Sequence, residues 1–149
     1  MRIVAILLFL TIGCSHAPQK IEYGVEVCNF CQMTIVSKTH AAQLVTKKGK
    51  QLKFDAIECM LHYFRDSNNE ANSAIMLVAN YNQPGEMINA LNAIYLISPN
   101  IQSPMGANLS AFNSEEEAAA VRNQHKGDIY NWENLKAKMN VESHPNHTH

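Results

Sequence analysis

Short runs of apolar and β-branched residues, separated by polar turns, predict a small antiparallel sheet near the start of the folded chain. Residues 34–37 and 41–46 have strand-like composition, and residues 51–54 continue the pattern. The sequence Lys-Lys-Gly-Lys at 47–50 is typical of a turn between two strands. We therefore expect three strands in this region.

The apolar period lengthens to that of a helix after residue 54. Asp55 and Glu58, three residues apart, predict a capping box at the helix start. Cys59 and His62 share a side of this helix with Asp55, which singles them out because a free cysteine usually packs with the apolar face. That apolar face spans about 100° of the helical wheel and consists of Ile57, Met60, Leu61 and Phe64.

The second half of the chain predicts strands at residues 74–79 and 93–98, separated by a turn at 82–85. A Ser-Pro-Met-Gly loop at 103–106 holds Met105 outside any periodic apolar face. Two helices complete the pattern, one capped by Ser114 and running to about residue 124, the other at residues 132–139.

These elements predict an α+β fold of two small lobes, at about residues 23–70 and 71–139, in which helices pack on one face of antiparallel sheets. A chain of 149 residues is long enough to bury such a core. The formal net charge of −1 excludes a strongly basic nucleic-acid-binding surface. We therefore expect no nucleic-acid partner.

Residues 1–13 predict the signal peptide of a bacterial lipoprotein. Arg2 precedes an apolar run at residues 3–12, which is too short to span a bilayer, and Gly13-Cys14 follows. The resemblance implies that Cys14 becomes the first mature residue and carries the lipid, with residues 14–22 as anchor and tether. Ser15 stands where an Asp would favour inner-membrane retention, so a periplasm-facing lipoprotein of the outer membrane is expected. The alternative is an ordinary cleaved signal with a coincidental cysteine.

The segment Cys-Asn-Phe-Cys-Gln-Met at 28–33 concentrates three sulfur atoms in six residues. Cys28, Cys31 and Met33 offer two thiols and a thioether, soft ligands that favour Cu(I) over Zn²⁺, Mg²⁺ or Ca²⁺. Zinc sites recruit Cys, His and carboxylates, so Met33 argues for copper. Lipidation of Cys14 would leave three thiols, an odd number in an oxidising compartment, where an unpaired thiol is usually reactive, metal-bound or buried.

The motifs form an ordered set: Cys28-x-x-Cys31-x-Met33, Ala41-Ala42, Lys50-x-Leu52-x-Phe54-Asp55 with Cys59, Ser103-Pro104-Met105-Gly106 with Leu109 and Ala111-Phe112, Glu116-Glu117-Ala118, and Trp132. This set resembles the NosL family over roughly residues 23–135 and is far more specific than a lone CxxC. The resemblance implies two lobes of ββαβ character and a copper-binding lipoprotein without catalytic activity. It also implies Cu(I) delivery to the copper–sulfide centre of nitrous oxide reductase. The expected partners are that reductase or another copper client, and its membrane maturation machinery.

Carried over to this sequence, the family pattern implies Cys28 or Cys31, Met33 and Met105 as copper ligands, with a histidine as a further donor. Cys59 and His62 join the candidates because their helix places them together. A mixed thiolate and thioether set would hold Cu(I) and still release it. The structural alternatives are packing of Cys59 beneath the second lobe and a surface or gap-filling role for Met105.

Two other functions stay open. An envelope thiol–disulfide protein would use Cys28 and Cys31 to keep a copper client reduced, although the β-branched residues that follow are not helical as in thioredoxin. A zinc-stabilised structural module would need further ligands, which Cys59 and His62 would supply. The methionines discriminate between these hypotheses, since a redox protein has no need of thioethers.

The remaining histidines are less specific. A histidine-rich tail is predicted at residues 140–149, where His144, His147 and His149 would bind Cu(II), Zn²⁺ or Ni²⁺ without a fold, or form a solvated remnant. His40 and His125 are expected to cover surface.

Overall fold

The computed structural model describes residues 16–65 and 69–142. These residues form two antiparallel sheets and three helices, so the α+β fold class is confirmed. The predicted signal peptide, Cys14 and the three histidines of the tail lie outside the described residues. Within the described part of the chain, no helix is long and apolar enough to cross a membrane.

The two halves of the chain repeat the order ββαβ. The elements are β1 (Ala42–Thr46), β2 (Gln51–Phe54), α1 (Ile57–Arg65), β3 (Ser73–Ala79), β4 (Met87–Asn89), β5 (Ile94–Ile97), β6 (Leu109–Phe112), α2 (Glu115–His125), β7 (Asp128–Tyr130) and α3 (Trp132–Glu142). The first unit contains β1, β2, α1 and β3, with β4 added beside β3, and its sheet has the strand order β2-β1-β3-β4. The second unit contains β5, β6, α2 and β7 in the sheet order β6-β5-β7, followed by α3.

The predicted lobe boundary at residue 70 is wrong. β3 was expected to begin the second lobe, but it pairs with β1, with Ala42 opposite Val78. The two sheets divide between β4 and β5 instead. Composition could not reveal this, because a half-buried strand alternates in the same way whichever sheet it joins. One apolar core spans both sheets and joins Phe54 of the first unit to Tyr95 of the second.

The strand predicted at residues 34–37 is reduced to a single bridge between Thr34 and Val27. Two backbone donors of this segment are used elsewhere. Ile35 donates to the carbonyl of Glu26 at 2.9 Å, and Val36 donates to Asp55 Oδ1 at 3.3 Å. The segment therefore folds into a short irregular hairpin rather than a strand of the sheet.

The predicted cap of the first helix is also wrong, whereas that of α2 is confirmed. α1 begins at Ile57, and the Asp55 carboxylate accepts from Val36 instead of from a helical N–H. In α2, Ser114 Oγ accepts from Glu117 N at 3.3 Å. A local capping pattern therefore fails where a residue distant in sequence, here Val36, donates to the carboxylate that was expected to cap the helix.

Both predicted ends of the domain differ from the structure. Ile21 was assigned to the tether but is buried in the core, and residues before it bond to the outer face of the first sheet. The tail was expected from residue 140, but α3 continues to Glu142.

Candidate metal centre

Cys28 and Cys31 lie in a tight loop closed by the bridge between Val27 and Thr34. Cys28 N donates to the carbonyl of Met33 at 2.8 Å, and Gln32 N donates to the carbonyl of Cys28 at 3.1 Å. Gln32 has a φ of 64°, in the left-handed region, which reverses the chain after the second cysteine. The CxxC pair therefore occupies a turn and not a helix.

Asn29 fixes this loop to the first sheet. Its N–H donates to the carbonyl of Lys53 at 2.8 Å, and its Oδ1 accepts from Lys53 N at 2.6 Å. β2 is an edge strand, so its outward backbone groups are available to such a partner. Because α1 begins shortly after β2, this anchor brings the loop against the start of α1.

Cys59, in the first turn of α1, completes a cluster of three cysteines. The sulfur atoms of Cys28, Cys31 and Cys59 lie within 4.8 Å of one another, and no disulfide joins them. Cys28 and Cys59 are buried, whereas Cys31 is half-buried. A single soft metal ion could contact all three sulfurs after a small adjustment.

The expected placement of Cys59 away from the core is wrong, although its association with the other cysteines fits the candidate set. All five residues from Ile57 to Leu61 are buried. The helical wheel predicted one core face, but the cysteine loop and the second unit cover further sides of the helix start. Cys59 is therefore buried together with the sulfur loop.

Hydrogen bonds prepare Cys28 as a thiolate. The Cys59 thiol donates to its sulfur, and the N–H groups of Asp55, Cys31 and Phe30 add to this, so the pKa of Cys28 falls to about 5 although burial opposes the shift. The bond to Cys28 raises the pKa of Cys59, and burial raises the pKa of Cys31. At neutral pH the cluster therefore holds one thiolate and two thiols.

His62 lies near the loop but outside the sulfur cluster. Its ring stacks on Phe30 with 5.5 Å between centroids, and burial lowers its pKa, with Arg65 adding to the shift. Among the described His, Cys, Asp and Glu side chains, only the three cysteines group closely enough to hold an ion. His62 as a copper ligand stays a prediction.

Met33 and Met105 both reach solvent, with 54% and 39% of their surface exposed. The Met33 N–H bonds to the Cys31 sulfur, so its backbone belongs to the cluster's surroundings. Met105 lies in the loop that precedes β6. This loop contacts α1 at Glu58, the residue before Cys59. Their role as copper ligands stays a prediction.

Sequence reasoning missed Glu58 as the residue that joins the Met105 loop to α1. The Glu58 carboxylate is buried and accepts from Ser103 Oγ, from Ala107 N at 3.3 Å, and from the Met105 N–H. Burial raises its pKa. A helix cap was enough to explain the Asp-x-x-Glu pattern in the sequence. The one remaining signal for another role of Glu58 was its position directly before Cys59.

His40 was expected at the surface but is only 5% exposed. Its Nδ1 lies 2.9 Å from the hydroxyls of both Ser37 and Thr39, and its Nε2 lies 3.5 Å from Ser110 Oγ. Burial lowers its pKa. The packing partner β6 is 70 residues away in the chain, which no local pattern reveals.

The donor set argues against a zinc-stabilised module. Structural zinc sites are tetrahedral, with four Cys, His or carboxylate ligands. The part of the chain that the structure describes supplies three such ligands at this position and no fourth. Three sulfurs suit an ion that accepts low coordination numbers.

Comparisons with known proteins show the family of the chain. The family model NosL matches residues 19–140. A relative from Stutzerimonas stutzeri, described as copper-binding lipoprotein NosL, is 26% identical over 148 residues, covering 89% of this chain and 77% of the relative. The crystal structure of the copper chaperone NosL from Shewanella denitrificans has the same fold, with a TM-score of 0.70 at 19% identity over 80% of this chain and 95% of that one. The chain therefore belongs to the NosL family.

Proposed function

We propose that this protein is a copper carrier of the bacterial envelope that binds one Cu(I) at Cys28, Cys31 and Cys59 and passes it to a copper enzyme. The observation that carries the proposal is the cluster of three sulfur atoms within 4.8 Å of one another. Copper is the cargo of the protein, and its chemistry is binding without turnover. The relative and the solved structure that the chain resembles are both named for copper.

The chemistry of the donors supports Cu(I) in particular. Thiolates are soft ligands that select Cu(I), and the low pKa of Cys28 supplies one thiolate at neutral pH. Burial of Cys28 and Cys59 excludes water from two sides of the ion. The proposed site is thus tight on its inner side.

The outer side of the cluster suits transfer to a partner. Cys31 is half-buried, and the exposed thioethers of Met33 and Met105 are uncharged donors that exchange readily. A partner could displace these outer donors first and receive the ion in steps. We propose nitrous oxide reductase, at its copper–sulfide centre, as the client, with another copper enzyme as the alternative.

The proposed location is the periplasmic face of a membrane, with the outer membrane preferred. The support is the lipoprotein signal before Cys14 and the description of the relative as a lipoprotein. Lipidation of Cys14 would leave the described domain in the periplasm, next to its client and the membrane machinery that matures it.

One observation favours a redox function as the second candidate. A pKa of about 5 at Cys28, beside Cys31, is also what a disulfide-exchanging thiol needs. However, the pair occupies a turn with Gln32 in the left-handed region, and neither cysteine begins a helix as in a thioredoxin-type site. Cys59 also engages Cys28 directly, which a simple redox pair does not require.

The deciding experiment is an anaerobic Cu(I) competition titration of the reduced chain that begins at Ser15, with and without residues 144–149. We expect one tight Cu(I) per chain, retained without the histidines. A quantitative Cys28–Cys31 disulfide together with no tight site in the reduced form would establish the redox function instead. Metal analysis after loading with equal Zn²⁺ and Cu(I) tests the zinc module in the same sample.

A further inference from the structure

The N-terminal segment, residues 16–22, is held along the outer face of the first sheet. Gln51 Nε2 donates to the carbonyl of Ala17 at 3.1 Å, and Gln43 Nε2 donates to that of Gln19 at 2.6 Å. Both glutamines lie on the face opposite the core, since side chains alternate along each strand. Gln43 is only 2% exposed because this segment covers it.

The segment has a defined direction. His16 Nε2 donates to the carbonyl of Lys47 at 3.0 Å, at the tip of the hairpin between β1 and β2. Four residues later, the carbonyl of Lys20 accepts from Lys53 Nζ at 2.8 Å, near the other end of β2. Asn29 and the cysteine loop contact the same residue, Lys53. The chain therefore runs from the hairpin tip towards the metal centre.

This course fixes where a lipid anchor would attach. Cys14 precedes His16 by two residues, which span at most about 7 Å. Gln51 and Asp55, by contrast, are separated by about 13 Å of extended chain. A lipid on Cys14 would therefore be joined by a link of two residues to His16 at the hairpin tip, whereas the cysteine cluster lies at the opposite end of β2.

The hairpin tip carries three exposed lysines. Lys47, Lys48 and Lys50 are exposed, and their ammonium groups make no hydrogen bond or ion pair with any residue in the ranges 16–65 and 69–142. The turn itself is ordered by backbone bonds, with Gly49 N donating to the carbonyl of Thr46 at 2.8 Å. The whole chain has a net charge of −1, so this positive surface is local.

We propose that the hairpin tip, through Lys47, Lys48 and Lys50, binds the anionic headgroups of membrane phospholipids and so turns the cysteine cluster away from the bilayer. The proposal rests on the lipid anchor at Cys14 that is part of the proposed function. Anionic headgroups increase the membrane affinity of basic residues beside a lipid anchor, by about fivefold per lysine near the surface. The lysines orient a domain that the lipid already holds, and the copper ligands then face the periplasm.

The test uses the lipidated full-length chain in lipid nanodiscs that contain a small fraction of a gadolinium-chelating lipid. Paramagnetic broadening of amide signals then reports distance from the bilayer. In discs with anionic phosphatidylglycerol we expect the amides of residues 47–50 to broaden several times more than those of 28–33. In discs of neutral phosphatidylcholine, or in 0.5 M NaCl, this difference should disappear because the attraction is screened or absent.

The variant Lys47→Gln/Lys48→Gln should reduce the ratio of oriented to unoriented molecules about 25-fold at low salt. The matched control, Arg122→Gln/Lys126→Gly on the second unit, removes the same charge and should leave the orientation intact. Glycine suits position 126, where φ is 63° and ψ is −177°. Equal broadening at the tip and the cysteine loop in anionic discs, or an unchanged double variant, would overturn the proposal.

Two further readouts separate this proposal from the proposed function. Mass spectrometry of the purified chain must show a lipid on Cys14. An unmodified Cys14 overturns the orientation proposal and the lipid anchor on which it rests, but not the proposed binding of copper. A Cu(I) titration of the same discs should give equal affinity in the double variant and the parent chain. Loss of copper binding in both would overturn the copper function while the orientation measurement stands.

Discussion

The two ββαβ units share a topology but use their helices differently. α1 buries five consecutive residues, from Ile57 to Leu61, whereas α2 buries only Ala118. α2 keeps the usual arrangement, with one face on its sheet and the rest in solvent. α1 is covered further by the cysteine loop and by the Met105 loop of the other unit. The candidate metal centre thus lies where the start of α1 is enclosed, whereas the start of α2 is left exposed.

The first turns of the two helices show the same contrast in chemistry. Glu115, Glu116 and Glu117 begin α2 as solvated acids that complement the helix dipole. The corresponding positions of α1 hold Ile57, Glu58 and Cys59, all buried. A carboxylate and a thiol placed there can act only on groups brought to them by other parts of the chain. This is why the site depends on long-range contacts.

Among the variants that test the difference between the two helix starts, Cys59→Ser should have the largest effect. Removing one of three sulfur ligands should lower Cu(I) affinity more than 100-fold, beyond the 10–100-fold typical of residues that only support a ligand. The third residue of α2 provides the control, and Glu117→Ser should bind Cu(I) as the parent does. Competition titration against a Cu(I) chelator measures both variants. Equal affinity in Cys59→Ser would restrict the site to Cys28 and Cys31.

Glu58→Ala should have the next largest effect, and it acts on stability. The hydroxyl of Ser103 and the N–H groups of Met105 and Ala107 would lose their acceptor, so we expect a loss of about 3 kcal/mol in the free energy of unfolding. Glu58→Gln keeps one acceptor oxygen and should cost about 1 kcal/mol. Urea denaturation of the apo chain measures both.

The matched change in α2 is Glu116→Ala, at an exposed acid in the same second position. Its midpoint of denaturation should stay close to that of the parent. A large destabilisation there, or none in Glu58→Ala, would remove the distinction between an enclosed and an exposed helix start.

The sequence predicted the fold class and the two helices of the second unit well, since both depend on local signals, but it did not predict β6 or β7. The Ser114 cap and the hairpin turn at 47–50 are predicted from neighbouring residues, and both are confirmed. The errors share one cause. Asp55 and Glu58 form a plausible local cap, but their carboxylates are used by Val36 and by the Ser103 loop, which lie 19 and 45 residues away.

The candidate site was predicted in part for the same reason. Cys28 and Cys31 are neighbours in sequence, so their proximity was evident. Cys59 was singled out by its position on a helical wheel, but its burial against the loop required the tertiary structure. Glu58 was missed because its partners come from the second unit. Residue spacing shows which side chains share a face of a helix. It does not show which other parts of the chain bury that face.

Copper binding should also depend on pH in a way that only the first unit can produce. At pH 7, Cys28 is already deprotonated, with a pKa of about 5, whereas Cys59 and Cys31 have raised pKa values. Binding of Cu(I) to three thiolates should therefore release about two protons at pH 7 and about three below pH 5. The affinity falls as the pH falls, and more steeply below pH 5.

Calorimetry in two buffers with different ionisation enthalpies measures this proton release directly. Cys28→Ser is the informative variant, because its two remaining thiols should still release about two protons at pH 7 while the affinity drops. Release of three protons by the parent chain at pH 7 would show that Cys28 is protonated and that its hydrogen bonds do not stabilise a thiolate.

Met105→Leu should give the smallest effect and sharpen the comparison at its outer edge. Leucine keeps the volume but removes the thioether, and the exposed side chain contributes little to the core, so stability should not change. We expect a fall in Cu(I) affinity of less than tenfold and a larger change in the rate of transfer to a chelating acceptor, because an outer thioether acts when the ion leaves. Met33→Leu should behave similarly.

Met87→Leu, in β4 and remote from the cysteine loop in sequence, is the control and should alter neither quantity. If Met105→Leu and Met87→Leu transfer copper at the same rate as the parent, then the second unit contributes no ligand. The whole copper chemistry would then belong to the first unit and its cysteine loop.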